Sequence, residues 1–393
     1  MQKSLKIIHI TSDYPPRALW GMGVYVETLQ RGLSEKYKNI HSCVATASKS
    51  IAEDGACITT TKEEDALFLS GDNKTAIFND FSKFLLWQEK LADAILDYFK
   101  TNSHISTVLH VNNWMSWLTA KKIRNIMDLP IVSSIHFLQK QYEVMVENPI
   151  PTYHNDIIEI ELEMLSESDG VICFSNESER MVKGMYGIER EDIVTIPHAS
   201  KICTDGTVVL NKTQNILFLG RLTHDKGILE VIRAVEYIRE KYPDVHLHII
   251  GDGELYSKIS ESTLPFVTLY GYIDDAQKIK RVAEECSFSI LFSTSDVFPI
   301  SVIDSMACGC IPFLPDRETV SIMFEDRVSG FRIGGDIAKN TADIIIDLLN
   351  NTDRLLDMRK NAQRYYNTHY SIDTLLKSTL AVYKKALLDK NKV

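Results

Sequence analysis

Short apolar runs alternate along the chain with longer stretches in which apolar residues recur at helical spacing. The runs are four to seven residues long, which is the length of a strand. Continuous apolar runs of this kind are typical of strands in a parallel sheet that is covered on both faces. They lie at residues 5–10, 41–47, 107–111, 130–135, 171–174, 216–219, 245–250, 288–292 and 310–314. The alternation predicts an α/β protein in which helices cover parallel sheets.

The alternation occurs in two halves, and each half has a glycine-rich turn after its first strand. At 393 residues the chain has the length of about two domains. We therefore predict two Rossmann-like domains that face each other across a cleft, one over residues 1–196 and one over residues 212–375. Residues 50–80 are polar and irregular, and we interpret them as an insertion.

Composition excludes several classes of protein. The formal net charge of −10 argues against a general binder of nucleic acid or anionic membranes. The seven cysteines have no metal-ligand spacing, which indicates reduced thiols. The opening residues MQKSLKIIHI are too short an apolar run for a signal peptide, and no apolar span reaches 18 residues. We expect a cytoplasmic protein.

The stretch 291–315 carries the first candidate chemistry. A strand at 288–292 leads through a polar loop into a helix whose first turn is predicted to hold Pro299. Such corners are where open α/β sheets hold ligands, and a helix N-terminus suits a phosphate group. Asp296 precedes the helix and Asp304 follows eight positions later. Either the two acids contact a ligand, or Ser301 and Asp304 form a capping box and Asp296 is a turn residue.

The second candidate lies in the loop at 220–227, after the strand at 216–219. Arg221 and Lys226 stand five positions apart just before a helix. Arginine and lysine in such a loop can converge on a diphosphate, although solvated loop cations are the common alternative. Because glycine stands on both sides of the pair, we favour the diphosphate.

The first half supplies three weaker signals. Gly21-Met22-Gly23 opens a helix, where glycines allow a backbone to approach a ligand closely. His136 ends the strand at 130–135, a position more often occupied by a structural histidine. The strand at 107–111 runs into Asn112-Asn113-Trp114.

Together these motifs resemble those of retaining glycosyltransferases with the GT-B fold, of the family 4 or glycogen-synthase-like type. That family has two glutamates eight positions apart, and this chain has Asp296 and Asp304 at the same spacing, followed by Ser305-Met306-Ala307-Cys308-Gly309. The family's Gly-Arg-Leu…Lys-Gly motif matches residues 220–227. Asn112-Asn113 and His198-Ala199 depart from the family pattern, and a linker turn is the simplest role for His198.

The resemblance implies that residues 1–196 form an acceptor domain to which a crossing helix at 376–393 returns, and that residues 212–375 form the donor domain. It implies a metal-independent, retaining transfer of a hexose from a nucleotide sugar, most simply a UDP-sugar, to a hydroxyl of a glycan or small metabolite. No other cofactor, no bound metal and no nucleic-acid partner are expected. The sequence is compatible with a homo-oligomer. The alternative is a non-catalytic partner protein whose active site has drifted.

The resemblance also assigns roles to residues. Arg221 and Lys226 would neutralise the departing diphosphate, Asp296 and His136 would contact hydroxyls of the donor sugar, and Asp304 would hold the ribose. The remaining expected donor contacts are Gly21, Met22, Gly23, Ile273, Phe298, Pro299, Ile300 and Ser301. The expected acceptor contacts are Arg17, Asn112 and Asn113.

Overall fold

The computed structural model of the chain describes residues 4–12, 14, 21–46, 57–59, 81–101, 105–141, 153–200, 202, 214–273, 275–294, 296, 298–317 and 323–390. The chain divides into two compact units. The first comprises Met1–Pro197 together with Leu375–Val393, and the second is His198–Thr374.

The first unit is built on a parallel sheet with the strand order β3-β2-β1-β4-β5-β6-β7 among the described residues. The strands are β1 (Leu5–Ile10), β2 (Ile40–Thr46), β3 (Cys57–Thr59), β4 (Ser106–Asn112), β5 (Ile131–Ile135), β6 (Gly170–Cys173) and β7 (Ile193–Thr195). Every residue of β1, β5 and β6 is buried, as expected for strands covered on both faces.

Helices connect these strands and cover the sheet. They are α1 (Gly21–Lys36), α2 (Phe81–Thr101), α3 (Trp117–Met127), α4 (His154–Glu167) and α5 (Asn176–Tyr186). Ser175 caps α5 by accepting the backbone N–H of Ser178 at 3.1 Å. Helix α12 (Ile372–Lys390) contributes most of its length to the first unit, where its buried face includes Leu376 and Tyr383.

A buried polar network joins α12 to the centre of this sheet. His9 on β1 and His110 on β4 are register partners, and their Nδ1 atoms lie 3.2 Å apart. The Tyr383 hydroxyl lies 2.7 Å from His110 Nδ1, while Ser134 Oγ lies 2.7 Å from His110 Nε2. Burial lowers the pKa of His9 to about 3 and that of His110 well below its usual value. Both rings are therefore neutral and serve as hydrogen-bonding groups.

We expect Tyr383→Phe to lower the free energy of unfolding of the first unit by about 1–2 kcal/mol, because it removes one partner of a buried hydrogen bond and preserves the ring. All four tryptophans, Trp20, Trp87, Trp114 and Trp117, belong to this unit, so fluorescence during urea unfolding reports on it. Tyr37→Phe, at a half-buried position of the same unit, is the control. Equal stability of the two variants would contradict a stabilising role for the Tyr383 hydroxyl.

The second unit is built on another parallel sheet, with the order β10-β9-β8-β11-β12-β13. Its strands are β8 (Asn215–Leu219), β9 (Leu247–Ile250), β10 (Val267–Leu269), β11 (Cys286–Ile290), β12 (Ile311–Pro315) and β13 (Phe331–Ile333). Its helices are α6 (Ile228–Arg239), α7 (Tyr256–Glu261), α8 (Ala276–Glu284), α9 (Ile300–Ala307), α10 (Ile337–Asn350) and α11 (Thr352–His369).

The predicted fold class is confirmed, since both units are parallel α/β sheets of the Rossmann kind. The nine apolar runs located nine of the thirteen described strands to within about two residues; for example, β11 ends at Ile290 rather than 292, and β12 begins at Ile311 rather than 310. The short strands β3, β7, β10 and β13 had no such run, and β3 lies in the segment interpreted as an irregular insertion. Because parallel strands direct their carboxyl ends to one edge, the loops after β8 and β11 meet at that edge of the second unit. None of the helices that the structure describes has the length and apolar character needed to cross a bilayer.

Candidate functional site

The loop after β8 presents Lys226 from a single 3₁₀ turn, His224–Lys226. The turn ends at Gly227, whose φ of 68° lies in the left-handed region. A Cβ at that position would lie 2.7 Å from the backbone oxygen of Phe292. Glycine is therefore required for conformation and for space, and it lets this loop pack directly on the segment that follows β11.

Lys226 is buried, with 6% of the residue exposed, and its ammonium group lies among polar side chains of both loops. Lys226 Nζ lies 2.6 Å from Asp296 Oδ1 and 3.7 Å from Asp225 Oδ2. It also lies 3.5 Å from Ser293 Oγ. The two residues predicted from separate motifs, Lys226 and Asp296, thus form a close ion pair.

Backbone hydrogen bonds hold the two loops together. Thr294 N–H donates to the Asp225 carbonyl at 2.8 Å, and Asp296 N–H donates to Ser293 Oγ at 3.1 Å. Arg317 Nη1 donates to the Ser293 carbonyl at 3.1 Å. These bonds hold the backbone near Lys226 and at Asp296 in place, which helps to position the two paired side chains.

Arg221 lies in the same loop and differs from Lys226 in its exposure. Its side chain is 48% exposed, and Nη2 lies 3.9 Å from Asp225 Oδ2. An exposed guanidinium next to a buried ammonium gives this edge of the sheet two positive charges at different depths. That arrangement suits an anion that enters from solvent.

The capping-box interpretation of α9 is wrong. The N-cap of this helix is Pro299, with φ −72° and ψ 110°, and no side chain caps it. Ser301 is consequently a residue of the helix, and its predicted partner Asp304 makes a different contact. The sequence predicted Pro299 in the first turn of this helix. In the structure Pro299 is the N-cap, so it precedes the first turn. The N–H groups of Ile300 and Ser301 stand at the helix N-terminus beside Phe298, where they can meet an anion.

Asp304 accepts a hydrogen bond from Ser200 Oγ at 2.5 Å, and Ser200 Oγ in turn accepts the backbone N–H of Ile202 at 2.8 Å. Two residues earlier, His198 packs face to face on Phe298, with ring centroids 5.6 Å apart. Burial lowers the pKa of His198 to about 3, so its ring is neutral. The segment at His198, predicted as a simple linker turn, therefore contacts Phe298 before α9 and, through Ser200, Asp304 on α9.

Sequence reasoning missed Ser200 entirely. The departure from the family pattern at His198-Ala199 was the available signal, because it lies beside Ser200 in the chain. Ile273, the expected contact to the base, follows β10 and is partly buried against the core of the second unit. Gly271 precedes it with φ 69°, and the Gly271 carbonyl accepts the Gly251 N–H at 2.8 Å.

In the first unit, His136 follows β5 and lies in an aromatic environment. Its ring centroid is 5.2 Å from that of Tyr25 on α1 and 4.7 Å from that of Phe174. His136 Nε2 lies 3.3 Å from Asn112 Oδ1, so Nε2 carries the proton. The structure therefore brings His136 and Asn112 together, with α1 beside them.

The remaining predicted residues of this unit lie at the start of α1 and just after β4. Gly21 is exposed, whereas Met22 and Gly23 are buried in the first turn of α1. Asn113 is fully buried with φ 65° and ψ 172°, a strained backbone conformation that residues other than glycine rarely adopt. Arg17 lies outside the described residues. Among the described residues, no cluster of three or more histidine, cysteine, aspartate or glutamate side chains is arranged to hold a metal ion.

Two protein-family models match successive parts of the chain. Glycosyltransferase Family 4 matches residues 20–199, and Glycosyl transferases group 1 matches residues 207–365. An uncharacterized glycosyltransferase of Methanocaldococcus jannaschii is 23% identical over 98% of this chain and 99% of its own length. A glycogen synthase of Mycobacterium tuberculosis is 20% identical over 78% of this chain and 76% of its own.

Solved structures share the fold at low sequence identity. Sucrose-phosphate synthase from Thermosynechococcus elongatus has a TM-score of 0.78 at 18% identity and covers 98% of this chain and 100% of its own. Anabaena HepE in complex with UDP and glucose has a TM-score of 0.68 at 14% identity, covering 96% and 99%. Both family models and the fold agree with the motifs at 220–227 and 291–315. The chain belongs to the GT-B glycosyltransferases of the family 4 type, which transfer sugars from nucleotide-sugar donors.

Proposed function

We propose that this glycosyltransferase moves a hexose from a UDP-sugar to a hydroxyl of a glycan or small metabolite, with retention of anomeric configuration and without a bound metal or other cofactor. The observation that carries the proposal is the buried Lys226 beside Asp296, where the loops after β8 and β11 meet. A lysine side chain is rarely buried unless its ammonium group is paired with a negative charge.

Arg221 and Lys226 supply the positive charge that the reaction needs. As the bond between the anomeric carbon and the diphosphate breaks, negative charge grows on the phosphate oxygens. Arg221, Lys226 and the backbone N–H groups of Ile300 and Ser301 at the start of α9 would stabilise that charge.

The acids and Ile273 would hold the rest of the donor. Asp296 would accept hydroxyls of the donor sugar while it pairs with Lys226. Asp304, four residues into α9, would accept the ribose hydroxyls. The backbone at Ile273 would bond the base, and Phe298 and Pro299 would line the site before the helix.

The first unit would supply the other contacts. His136, with its proton on Nε2, would orient a hydroxyl of the donor sugar. Gly21, Met22 and Gly23 would let the start of α1 approach the donor. Arg17, Asn112 and Asn113 are proposed to meet the acceptor.

In the proposed reaction, the acceptor oxygen forms the new bond to the anomeric carbon on the face from which the diphosphate leaves. The electron pair of the broken bond goes to the leaving phosphate oxygen, which also takes the acceptor's proton. No protein nucleophile is required. The protein contributes position and charge, which suits a site built of fixed loops.

Solved structures of similar proteins contain UDP, which supports the choice of UDP as the nucleotide. HepE has been crystallised with UDP and glucose, S. aureus TarM with UDP, and the pneumococcal O-GlcNAc transferase GtfA with UDP and GlcNAc. The alternative of a non-catalytic partner is not favoured, because Arg221, Lys226 and His136 all remain and Lys226 forms a close ion pair with Asp296.

A thermal-shift panel of UDP, GDP and ADP, each with its common sugars, tests the donor assignment. Binding to the native state raises the melting temperature once ligand exceeds its dissociation constant. We expect UDP to give the largest shift, and Arg221→Ala to weaken its binding about tenfold or more. Arg233→Ala, which removes an exposed arginine from α6, is the matched control. No shift with any nucleotide at millimolar concentration would overturn the proposal.

A further inference from the structure

We infer that Ser200 is a positioning residue that orients Asp304 for the ribose of the donor. The inference deepens the proposed function and rests on it, since Asp304 is the proposed ribose contact. The inference is based on a chain of hydrogen bonds that runs from the Ile202 N–H through Ser200 Oγ to Asp304 Oδ1.

The direction of this chain is determined by its first member. A backbone N–H can only donate, so the Ile202 N–H occupies a lone pair of Ser200 Oγ. The hydroxyl proton of Ser200 is then directed at Asp304, 2.5 Å away. A hydroxyl donor to a carboxylate is short and strong when the acceptor carries the charge. One oxygen of Asp304 is thereby held in place.

Burial strengthens the contact. Ser200 is 4% exposed, and Asp304 is half-buried on α9. Hydrogen bonds away from water are electrostatically stronger, and consecutive bonds polarise one another. The carboxylate plane is consequently fixed before any ligand arrives, which spares the entropy of ordering it on binding.

Ser200 itself is held by a segment attached at two further points. His198 packs on Phe298, and Phe298 meets the edge of Tyr370 with centroids 5.7 Å apart. On the other side of Ser200, the Ile202 carbonyl accepts the Tyr366 hydroxyl at 3.3 Å. His198 and Ile202, on the two sides of Ser200, are thus both in contact with the rest of the second unit, which is the support that a positioning group requires.

The pairing also explains why the acid at 304 can be short. An aspartate lacks one methylene that a glutamate would have at this position. The serine hydroxyl fixes the shorter carboxylate against the neighbouring segment. Ser200, which directly follows the departure at His198-Ala199, thus contacts the departure at Asp304.

The test compares UDP with its 2′,3′-dideoxy analogue by titration calorimetry. An oriented carboxylate that accepts ribose hydroxyls favours the ribonucleotide, because the analogue leaves it without those donors. We expect wild type to bind UDP at least about tenfold more tightly than the analogue. Ser200→Ala should lower UDP affinity about five- to tenfold and leave the affinity for the analogue unchanged. Ser200→Thr, which keeps the hydroxyl, should restore most of the preference.

Ser329→Ala is the control, because it removes another buried serine hydroxyl of the same unit, one bonded to Glu325. It should leave both affinities unchanged. If wild type favours UDP and Ser200→Ala keeps the full preference, the positioning role of Ser200 is overturned while the proposed function stands. If neither compound binds wild type, and GDP and ADP also fail, the proposed function fails and this inference with it.

Discussion

Replacing Lys226 by methionine is expected to lower kcat/KM for sugar transfer by about 100- to 1,000-fold, the usual effect of removing one fixed charge from a leaving-group site. Methionine keeps much of the volume of the lysine stem and removes the charge. The ammonium group is buried beside Asp296 at 2.6 Å, so water cannot readily replace it. Most of the loss should appear in kcat, because charge on the diphosphate grows as the bond breaks.

A structural effect of this substitution has to be separated from a chemical one. Lys226→Met leaves the Asp296 carboxylate without its closest cation and should lower the melting temperature. Combining it with Asp296→Asn removes both charges and should recover much of that stability. Activity of the double variant should stay low. Recovery of activity together with stability would show that the pair is only structural.

The second large effect concerns Glu161, a carboxyl that is completely buried in α4. Both of its oxygens accept the Gln139 backbone N–H, at 2.9 and 3.0 Å, and one accepts the Tyr186 hydroxyl. Desolvation by burial raises the pKa of Glu161 to about 8, against the opposing effects of Tyr186, Gln139 and Lys140. The folded protein therefore holds a proton that the unfolded chain releases near pH 4.5.

It follows that Glu161 makes the protein less stable as pH rises through this range. Between the two pKa values the folded state binds more protons than the unfolded state, so the free energy of unfolding falls by about 1.4 kcal/mol per pH unit. The contribution of Glu161 is fully present below the unfolded pKa and is lost as pH approaches 8. Buried histidines such as His9 have lowered pKa values and act in the opposite sense below pH 6.5. The clearest window is therefore pH 6.5 to 8.

Urea unfolding of Glu161→Gln, followed by tryptophan fluorescence across that window, measures this effect. The variant cannot ionise, so its stability should change with pH less steeply than that of wild type by about 1.4 kcal/mol per unit. Glu159→Gln, an exposed position on the same helix, should keep the wild-type slope. Parallel slopes for wild type and Glu161→Gln would show that this carboxyl is already ionised at neutral pH.

Local patterns predicted the elements because each depends on a few neighbouring residues. The apolar runs indicated strands covered on both faces, and Gly220 to Gly227 indicated a loop for an anion. Lys226 and Asp296 were placed in one site by the resemblance to the glycosyltransferase family, and the structure supplies the reason, since the loops at the carboxyl ends of the adjacent parallel strands β8 and β11 meet. The resemblance did not predict that the two side chains pair with each other.

Contacts distant in sequence could not be predicted in this way. Ser200 lies 104 positions from Asp304, in a segment without periodicity, and only the packed second unit brings them together. The capping-box prediction was wrong for a related reason. Ser301 and Asp304 have the right spacing, but α9 begins two residues earlier than a cap at Ser301 requires. The sequence also gives no signal for Glu161, because the burial of a single acidic residue does not change the apolar pattern of a helix.

The contact between Tyr383 and His110 bears on the order in which the chain is synthesised and folds. The second unit is continuous in sequence, from His198 to Thr374, so every residue of its sheet is available before α12 is made. The first unit has its sheet near the N-terminus, yet one wall of its core is completed by α12. During translation, His110 therefore gains its contact with Tyr383 only after a further 273 residues have been made, by which time the whole sequence of the inserted unit is available to fold.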